Sequence, residues 1–218
     1  MQINQNKNKF MIFNTVRNFD VPNLTLPGTG AGESLKVVEK YKLLGVVIRS
    51  DLKWNDNTDL ICRKGYQRLW ILRRLKRLGA NKQELLDIYY KQVRSVLELA
   101  VPVWQPALTQ LEKTQIERVQ KCALYIILGE GYIDYNNALE TLSCDNLNTR
   151  RVKICEKFAK KAVNNPRYSN WFTKNNPVPS TIYTRQDKKQ PKYKKVHTRT
   201  ERFQKSPIPY LVELLNKA

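Results

Sequence analysis

The sequence predicts a mainly α-helical fold, preceded by a small β element and followed by a basic, partly disordered tail. From Asp56 onward, apolar residues recur at intervals of three and four, the spacing of an amphipathic helix. Before that point, the segment Tyr41–Ile48 is apolar and β-branched, which indicates a strand. After Thr173, prolines and lysines replace the helical pattern. The chain of 218 residues suffices for one or two domains with a hydrophobic core.

The β element belongs to the first region, residues 1–54. Residues 9–14 predict a short strand, and residues 35–48 predict one or two more. Residues 19–32 between them form a loop rich in proline and glycine. Gly45 interrupts the second apolar run and predicts a tight bend within a buried strand.

The helices fall into two regions, residues 55–128 with three helices and residues 129–172 with further helical segments. The first helix spans about 57–78, and the second begins at Asn81, which with Glu84 forms a capping-box pattern, and ends near Ala100. The remaining predicted helices span about 109–128, 134–142 and 146–164. The basic, proline-containing tail occupies 173–218 and ends in a short helix near 210–215.

The charge of the chain predicts a polyanionic partner. Its formal net charge is +20, from 39 Lys and Arg against 19 Asp and Glu. Nucleic acid is the first choice and an anionic membrane surface the second. A basic protein without any polyanionic ligand is the alternative. Positive charge is densest in the helix after Trp54 and in the last forty residues.

Cysteine usage predicts an intracellular protein, nuclear or cytoplasmic. Cys62, Cys122, Cys144 and Cys155 are far apart, and His197 is the only histidine. This distribution argues against a zinc site and against a disulfide scaffold, and it predicts reduced thiols in packing roles. The sequence has no apolar run of about 18 residues and no signal-peptide pattern, so we expect neither a membrane span nor a membrane partner.

The first long helix separates an apolar face from a basic, aromatic face. Guanidinium groups bind phosphates bidentately, and flat rings stack on bases or sugars, so the second face predicts nucleic-acid binding. The alternative is a solvated face in which Trp70 packs on another part of the protein. The apolar arc consists of Ile61, Gly65, Leu69, Leu72 and Leu75. The predicted binding residues are Arg63, Tyr66, Trp70, Arg73, Arg74 and Arg77.

Two further basic clusters are candidates for nucleic-acid contacts. Arg150 and Arg151 begin a helix, where cations oppose the helix dipole, so either acidic partners such as Glu140 or Asp145 or RNA phosphates should compensate them. Residues 185–205 carry nine basic side chains interleaved with aromatic rings. This pattern predicts RNA binding or nuclear import, with a solvated linker as the alternative. The candidates in this tail are Lys192, Lys194 and Lys195.

An ordered set of short motifs resembles the LINE-type (non-LTR) retrotransposon reverse transcriptases. The joint between palm and thumb in that family is similar to three successive segments of this chain: Tyr41–Lys–Leu–Leu–Gly–Val–Val–Ile48, Asp51–Leu–Lys–Trp54 and the arginine-rich helix. Three positions depart from the family pattern. Asn57 stands where histidine is common, Leu99 stands where tyrosine is common, and Cys144 replaces the usual leucine. The other matching segments are Asn4–Phe13, Arg94–Glu98, Ala100, Pro102, Trp104, Glu117–Lys121, Ile127–Gly129, Tyr135, Ala138–Leu139, Leu147 and Arg150–Arg151.

The resemblance implies a thumb-like helical bundle behind a remnant of the palm. A thumb closes over a primer–template duplex without reading its sequence. The strand around Leu44 and Gly45 resembles the primer grip, a hairpin that holds the primer 3′ end, with a simple strand kink as the alternative. Leu44, Gly45 and the nearby Lys53 are therefore further predicted nucleic-acid contacts. The implied partners are RNA, DNA or their hybrid, together with a palm domain that this chain lacks.

Catalytic and metal-binding residues are not predicted in this chain. Two-metal phosphoryl transfer needs carboxylates that converge on ions about 4 Å apart, whereas Asp51, Asp56 and Asp59 lie in a loop and a helix start, where acids cap helices. We therefore expect the chain to begin downstream of the catalytic aspartates, to need no cofactor and to be inactive alone. Mg²⁺ would belong to the intact polymerase.

The expected function is that of a fragment of an RNA-directed DNA polymerase, which by itself binds primer–template independently of sequence and with steep salt dependence. Two alternatives remain open. One is a repurposed basic helical protein that binds RNA or a protein partner. The other is an inert retroelement relic.

Overall fold

The computed structural model describes residues 9–13, 36–175 and 191–217. In this part of the chain, four short strands precede the helices, which confirms a mainly α fold with a small β element. The strands are β1 (Lys9–Phe10), β2 (Lys36–Val37), β3 (Lys40–Leu43) and β4 (Val46–Arg49). The helices are α1 (Asn55–Arg77), α2 (Lys82–Ile88), α3 (Ser95–Leu97), α4 (Val101–Trp104), α5 (Gln110–Leu128), α6 (Tyr135–Thr141), α7 (Leu147–Val163), α8 (Glu201–Gln204) and α9 (Pro207–Lys217).

The segment around Gly45 is a β-hairpin, so the prediction of one buried strand with a bend is wrong. Strands β3 and β4 pair antiparallel, with Leu43 opposite Val46. Leu44 and Gly45 both have positive φ, 48° and 92°, as the two central residues of a type I′ hairpin turn require. Strand β3 is exposed along its whole length, whereas β4 packs against α1 and buries Val46.

Helices α2 and α3 form one continuous helical segment through a π-helical turn at Tyr89–Arg94. The predicted capping box is present at its start, where the backbone N–H of Glu84 donates to the Asn81 side chain and the backbone N–H of Asn81 donates to the Glu84 carboxylate. The segment ends shortly before Ala100, whose φ of 53° is left-handed. The chain then turns into α4.

The apolar face of α1 lies in the core, as the periodicity predicts. An added Cβ at Gly65 would lie 2.9 Å from Cγ1 of Val119 on α5 and 3.1 Å from Cδ2 of Leu97 on α3. The absence of a side chain therefore lets three helices meet. Arg68, at the edge of this face, donates from Nη1 to the carbonyl oxygen of Gln92 at 2.5 Å and ties α1 to the π-helical turn. Among the predicted arc residues, Leu75 alone is only partly buried.

A single cluster of buried side chains extends from Val46 in β4 to Val212 in α9. The predicted regions 55–128 and 129–172 therefore share one core, which includes the fully buried Trp104 of α4. Its indole Nε1 donates to the carbonyl oxygen of Leu99 at 2.8 Å, which satisfies the polar atom of a buried ring.

The described part of the tail, residues 191–217, packs onto the helical body. Tyr193 is buried against the ring of Phe172, with 6.3 Å between the ring centroids, and its backbone N–H donates to Asn216 Oδ1 at 2.9 Å. Tyr193 and Lys174 form an antiparallel bridge. The terminal helix α9 is longer than predicted because Pro207 fits its first turn. The predicted loop 19–32 and the basic residues 185–190 lie outside the described residues.

The four cysteines are free thiols, of which Cys62 and Cys155 are buried and Cys122 and Cys144 are half-buried. Within the described ranges, no group of His, Cys, Asp and Glu is arranged to hold a metal ion. In the same ranges, every helix is too short or too polar to cross a bilayer.

Truncation of Leu69 tests the packing of α1. Leu69 is fully buried, so Leu69→Ala should lower the free energy of unfolding by about 3 kcal/mol through lost contacts and a cavity. The matched control is Leu78→Ala, at a position 70% exposed, which should cost less than about 0.5 kcal/mol. Urea unfolding followed by circular dichroism measures both. Equal losses would contradict this packing.

Thiol reactivity tests the same core. Burial raises the pKa of Cys62 to about 11 and that of Cys155 to about 12. Because the thiolate is the reactive form, both should resist an aromatic disulfide reagent at about pH 8 in the native protein. The half-buried Cys122 and Cys144 should react first, and all four should react after unfolding. Rapid modification of Cys155 in the native protein would contradict its burial.

Candidate nucleic-acid interface

The exposed side of α1 carries basic and aromatic side chains at alternating intervals of three and four residues. This spacing keeps them on one face of the helix. At 1.5 Å per residue, the row from Arg63 to Arg77 is about 21 Å long. The α1 stripe, as we term it, consists of Arg63, Tyr66, Trp70, Arg73 and Arg77, with Arg74 beside them, and all six are exposed.

No acidic side chain in the described part of the chain neutralises the cations of the α1 stripe. Within the described residues, Arg63, Arg73 and Arg74 form no ion pair and no side-chain hydrogen bond. Arg77 donates from Nε only to the carbonyl oxygen of Arg73, at 3.4 Å. Their guanidinium donors are therefore available to an external anion such as a phosphate.

The two rings of the α1 stripe differ in their surroundings. Trp70 is 61% exposed and contacts no other aromatic ring among the described residues. Tyr66 is half exposed and leans on α5, where burial raises its pKa and Cys122 adds to the shift, while the positive charge of Arg118 lowers it. Trp70 thus presents most of its ring to solvent, where it is accessible for stacking on a base or sugar.

Helix α5 adds two residues to this face that the sequence did not single out. Arg118 is exposed and lies near Tyr66. Tyr125, seven residues further on, is 60% exposed and lies beside Arg73 and Arg77. The sequence signal that could have identified them is their spacing of seven residues, which places both on one face of α5. The α1–α5 surface, as we term it, comprises the α1 stripe with Arg118 and Tyr125.

The hairpin turn is at the opposite end of α1 from most of the arginines. Leu44 is 92% exposed, and Gly45 packs against the turn between α3 and α4, since an added Cβ there would lie 3.0 Å from Cδ2 of Leu99. The backbone N–H of Val47 donates to Oδ1 of Asn57 at 3.1 Å. This contact attaches the hairpin to the start of α1, about 24 Å along the helix from Arg73.

An arginine and two aspartates fix the joint between β4 and α1. Arg49 Nε lies 2.9 Å from Asp51 Oδ1, and Arg49 Nη1 lies 2.8 Å from Asp56 Oδ2. The hydrogen bond from Arg49 lowers the pKa of Asp51. Lys53 is exposed, with Nζ 4.0 Å from Asp51 Oδ2. These two carboxylates therefore hold Arg49 in place at the joint.

Arg150 has an acidic partner, but not one of the expected two. Its Nε lies 3.1 Å from Glu98 Oε1, and Arg94 approaches the same oxygen at 3.5 Å. The expected partner Asp145 binds Lys153 instead, at 2.6 Å. A carboxylate therefore compensates Arg150 at the start of α7.

Arg151 is fully buried, so its prediction as a nucleic-acid contact is wrong. Its Nε donates to Gln105 Oε1 at 2.6 Å, whereas Nη1 and Nη2 have no hydrogen-bond partner among the described residues. Burial lowers the pKa of this guanidinium. The reason for the burial is helical phase, because position 151 lies on the same face of α7 as the buried Cys155 and Ala159.

The tail lysines are exposed but belong to a different part of the molecule. Lys192 and Lys194 flank the buried Tyr193, and Lys195 follows them. Their segment is held by the strand-like pairing with Thr173 and Asn175, so the structure does not place them on the α1–α5 surface.

Substitution of Arg151 tests its assignment to the core. Arg151→Met should leave nucleic-acid affinity unchanged within about twofold, and it should change the unfolding free energy by less than about 1 kcal/mol, because the guanidinium is poorly satisfied. Gln105→Leu should cost about 2 kcal/mol, since it removes the acceptor of Arg151. A loss of affinity in Arg151→Met without unfolding would contradict this assignment.

Comparison with family models, with curated proteins and with solved structures gave no match for this chain.

Proposed function

We propose that this chain binds nucleic acid through the α1–α5 surface without reading base sequence, in the manner of the thumb of a LINE-type reverse transcriptase. The observation that carries the proposal is the α1 stripe, where the exposed rings of Tyr66 and Trp70 lie between guanidinium groups that have no acidic partner among the described residues. The net charge of +20 supports it, because the whole chain attracts polyanions.

The length of the stripe suits a nucleic-acid strand. Phosphates follow one another about every 3.4 Å along one strand of a duplex, so a row of about 21 Å spans about six of them. Arg73 and Arg77 lie one helical turn apart, and Arg63 lies about 15 Å before Arg73. Spaced cations of this kind neutralise several phosphates along one strand.

The residue types favour binding that is independent of sequence. Arginine binds phosphate oxygens, which are the same at every nucleotide. The rings of Tyr66 and Trp70 stack on any base or sugar.

The resemblance in sequence supports a role beside a polymerase centre. In this family, the palm carries the catalytic aspartates and their Mg²⁺ ions, while the thumb clamps the primer–template. We propose that the present chain performs the second task, so that RNA-directed DNA synthesis would require a palm domain. The exposed Leu43 and Leu44 at the hairpin turn favour a contact with such a protein partner.

The experiment is a salt titration of binding to a labelled RNA–DNA primer–template. For the wild type, the logarithm of the association constant should fall linearly with the logarithm of the salt concentration. The slope is about −0.9 per phosphate contact for a B-form duplex. The variant Arg73→Ala/Arg74→Ala/Arg77→Ala should bind roughly a hundredfold more weakly. Because it loses three phosphate contacts, its slope should be shallower than that of the wild type by up to about 2.7. Circular dichroism checks that it folds.

The matched control is Lys157→Ala/Lys160→Ala/Lys161→Ala, which removes the same charge from exposed positions of α7. This control should retain most of the affinity. Equal losses of affinity in both triple variants would mean that net charge alone causes the effect, and they would overturn the assignment of the surface. Unchanged binding in the arginine variant would move the affinity to the tail lysines.

A further inference from the structure

An open groove of about 560 Å³ lies at the C-terminal ends of α1 and α5. The two helices run in the same direction, because Gly65 meets Val119 near the middle of both helices and Lys76 meets Ile126 near their C-terminal ends. The volume falls within the range of ordinary small-ligand pockets. Nothing in the sequence pattern of either helix alone predicts this groove.

A lysine fixes the floor of the groove. Lys76 donates from Nζ to the carbonyl oxygen of Ile126 at 2.5 Å, which joins the last turns of the two helices. The side chain crosses Gly129, where any Cβ would collide with Nζ. Lys76 also places a cation at the negative end of the α5 dipole, so its charge stabilises that end of the helix.

The two walls differ in chemistry. One wall carries Tyr125, whose ring is held by the edge of Tyr132, with 5.3 Å between centroids and 78° between ring planes. The other wall carries Arg73 and Arg77, whose guanidinium groups have no acidic partner among the described residues. Glu130 is a single carboxylate among the lining residues.

The helix dipole explains only part of this arrangement. Cations in the last turn of a helix are favourable in any protein, which accounts for Arg77. A dipole does not account for a tyrosine that is 60% exposed and held in place across from two arginines. A flat ring opposite guanidinium groups suits a ligand with both an aromatic face and a phosphate.

We propose that the groove binds one unpaired nucleotide at the end of the strand held by the α1 stripe. Its base stacks on Tyr125, and its phosphate binds Arg73 and Arg77. An unpaired nucleotide is required because the bases inside a duplex already stack on each other on both faces. The inference rests on the proposed function, since Arg73 and Arg77 belong to both the stripe and the groove.

The test compares a blunt RNA–DNA duplex with the same duplex extended by one unpaired 2-aminopurine nucleotide. The full chain should bind the extended duplex roughly tenfold more tightly, and stacking should quench the fluorescence of the unpaired base. Tyr125→Ala should lose both effects, whereas Tyr125→Phe should keep them because the ring remains. The matched control is Leu111→Ala, at a position 66% exposed on the same helix, which should keep both.

The outcomes separate the two proposals. Equal, salt-dependent binding of both duplexes without quenching would overturn the groove and leave the proposed function standing. A preference for the extended duplex that survives Tyr125→Ala would likewise overturn the groove. Absence of binding to either duplex would overturn both proposals.

Discussion

The rest of the structure depends on the close contact of α1 with α5 and α3 at Gly65. Because Gly65 has no side chain, Val119 and Leu97 approach the backbone of α1, and the helix cannot turn about its axis without separating the three. That fixed rotation buries Leu69 and Leu72. It also turns every residue of the α1 stripe toward solvent. A surface suited to phosphates is thus set by an apolar contact on the opposite side of the same helix.

Solvent exposure distinguishes the arginines of the α1 stripe, of the joint before α1 and of the buried position in α7. On α1, the exposed guanidinium groups of Arg63, Arg73 and Arg74 form no ion pair with any described residue, so they stay available to an external anion. At the joint before α1, Arg49 holds Asp51 and Asp56 together. In α7, Arg151 is removed from water and has one hydrogen bond to Gln105. Desolvation makes that last position costly, and it also removes the side chain from any ligand.

The candidate interface is extended and not a pocket around one reactive centre. The hairpin is attached to the first turn of α1, and the groove next to Tyr125 lies beside its last turns, so most of the length of the helix separates them. A rigid helix is a suitable spacer because its hydrogen bonds fix 1.5 Å per residue. Under the proposed function, the stripe would follow a strand along this axis, and the two ends would contact different parts of the ligand.

The sequence by itself determined the helical fold, the capping box at Asn81 and the buried arc of α1, because these depend on residues a few positions apart. Only the tertiary structure decided the roles of Arg151, Tyr125 and Gly45. In the sequence, Arg151 resembles an exposed cation. In the fold, α4 and α5 pack against α7, and Arg151 is buried. Tyr125 gains its position from the parallel packing of α5 on α1. Local periodicity fixes which residues share a face, but only packing between distant segments fixes what that face meets.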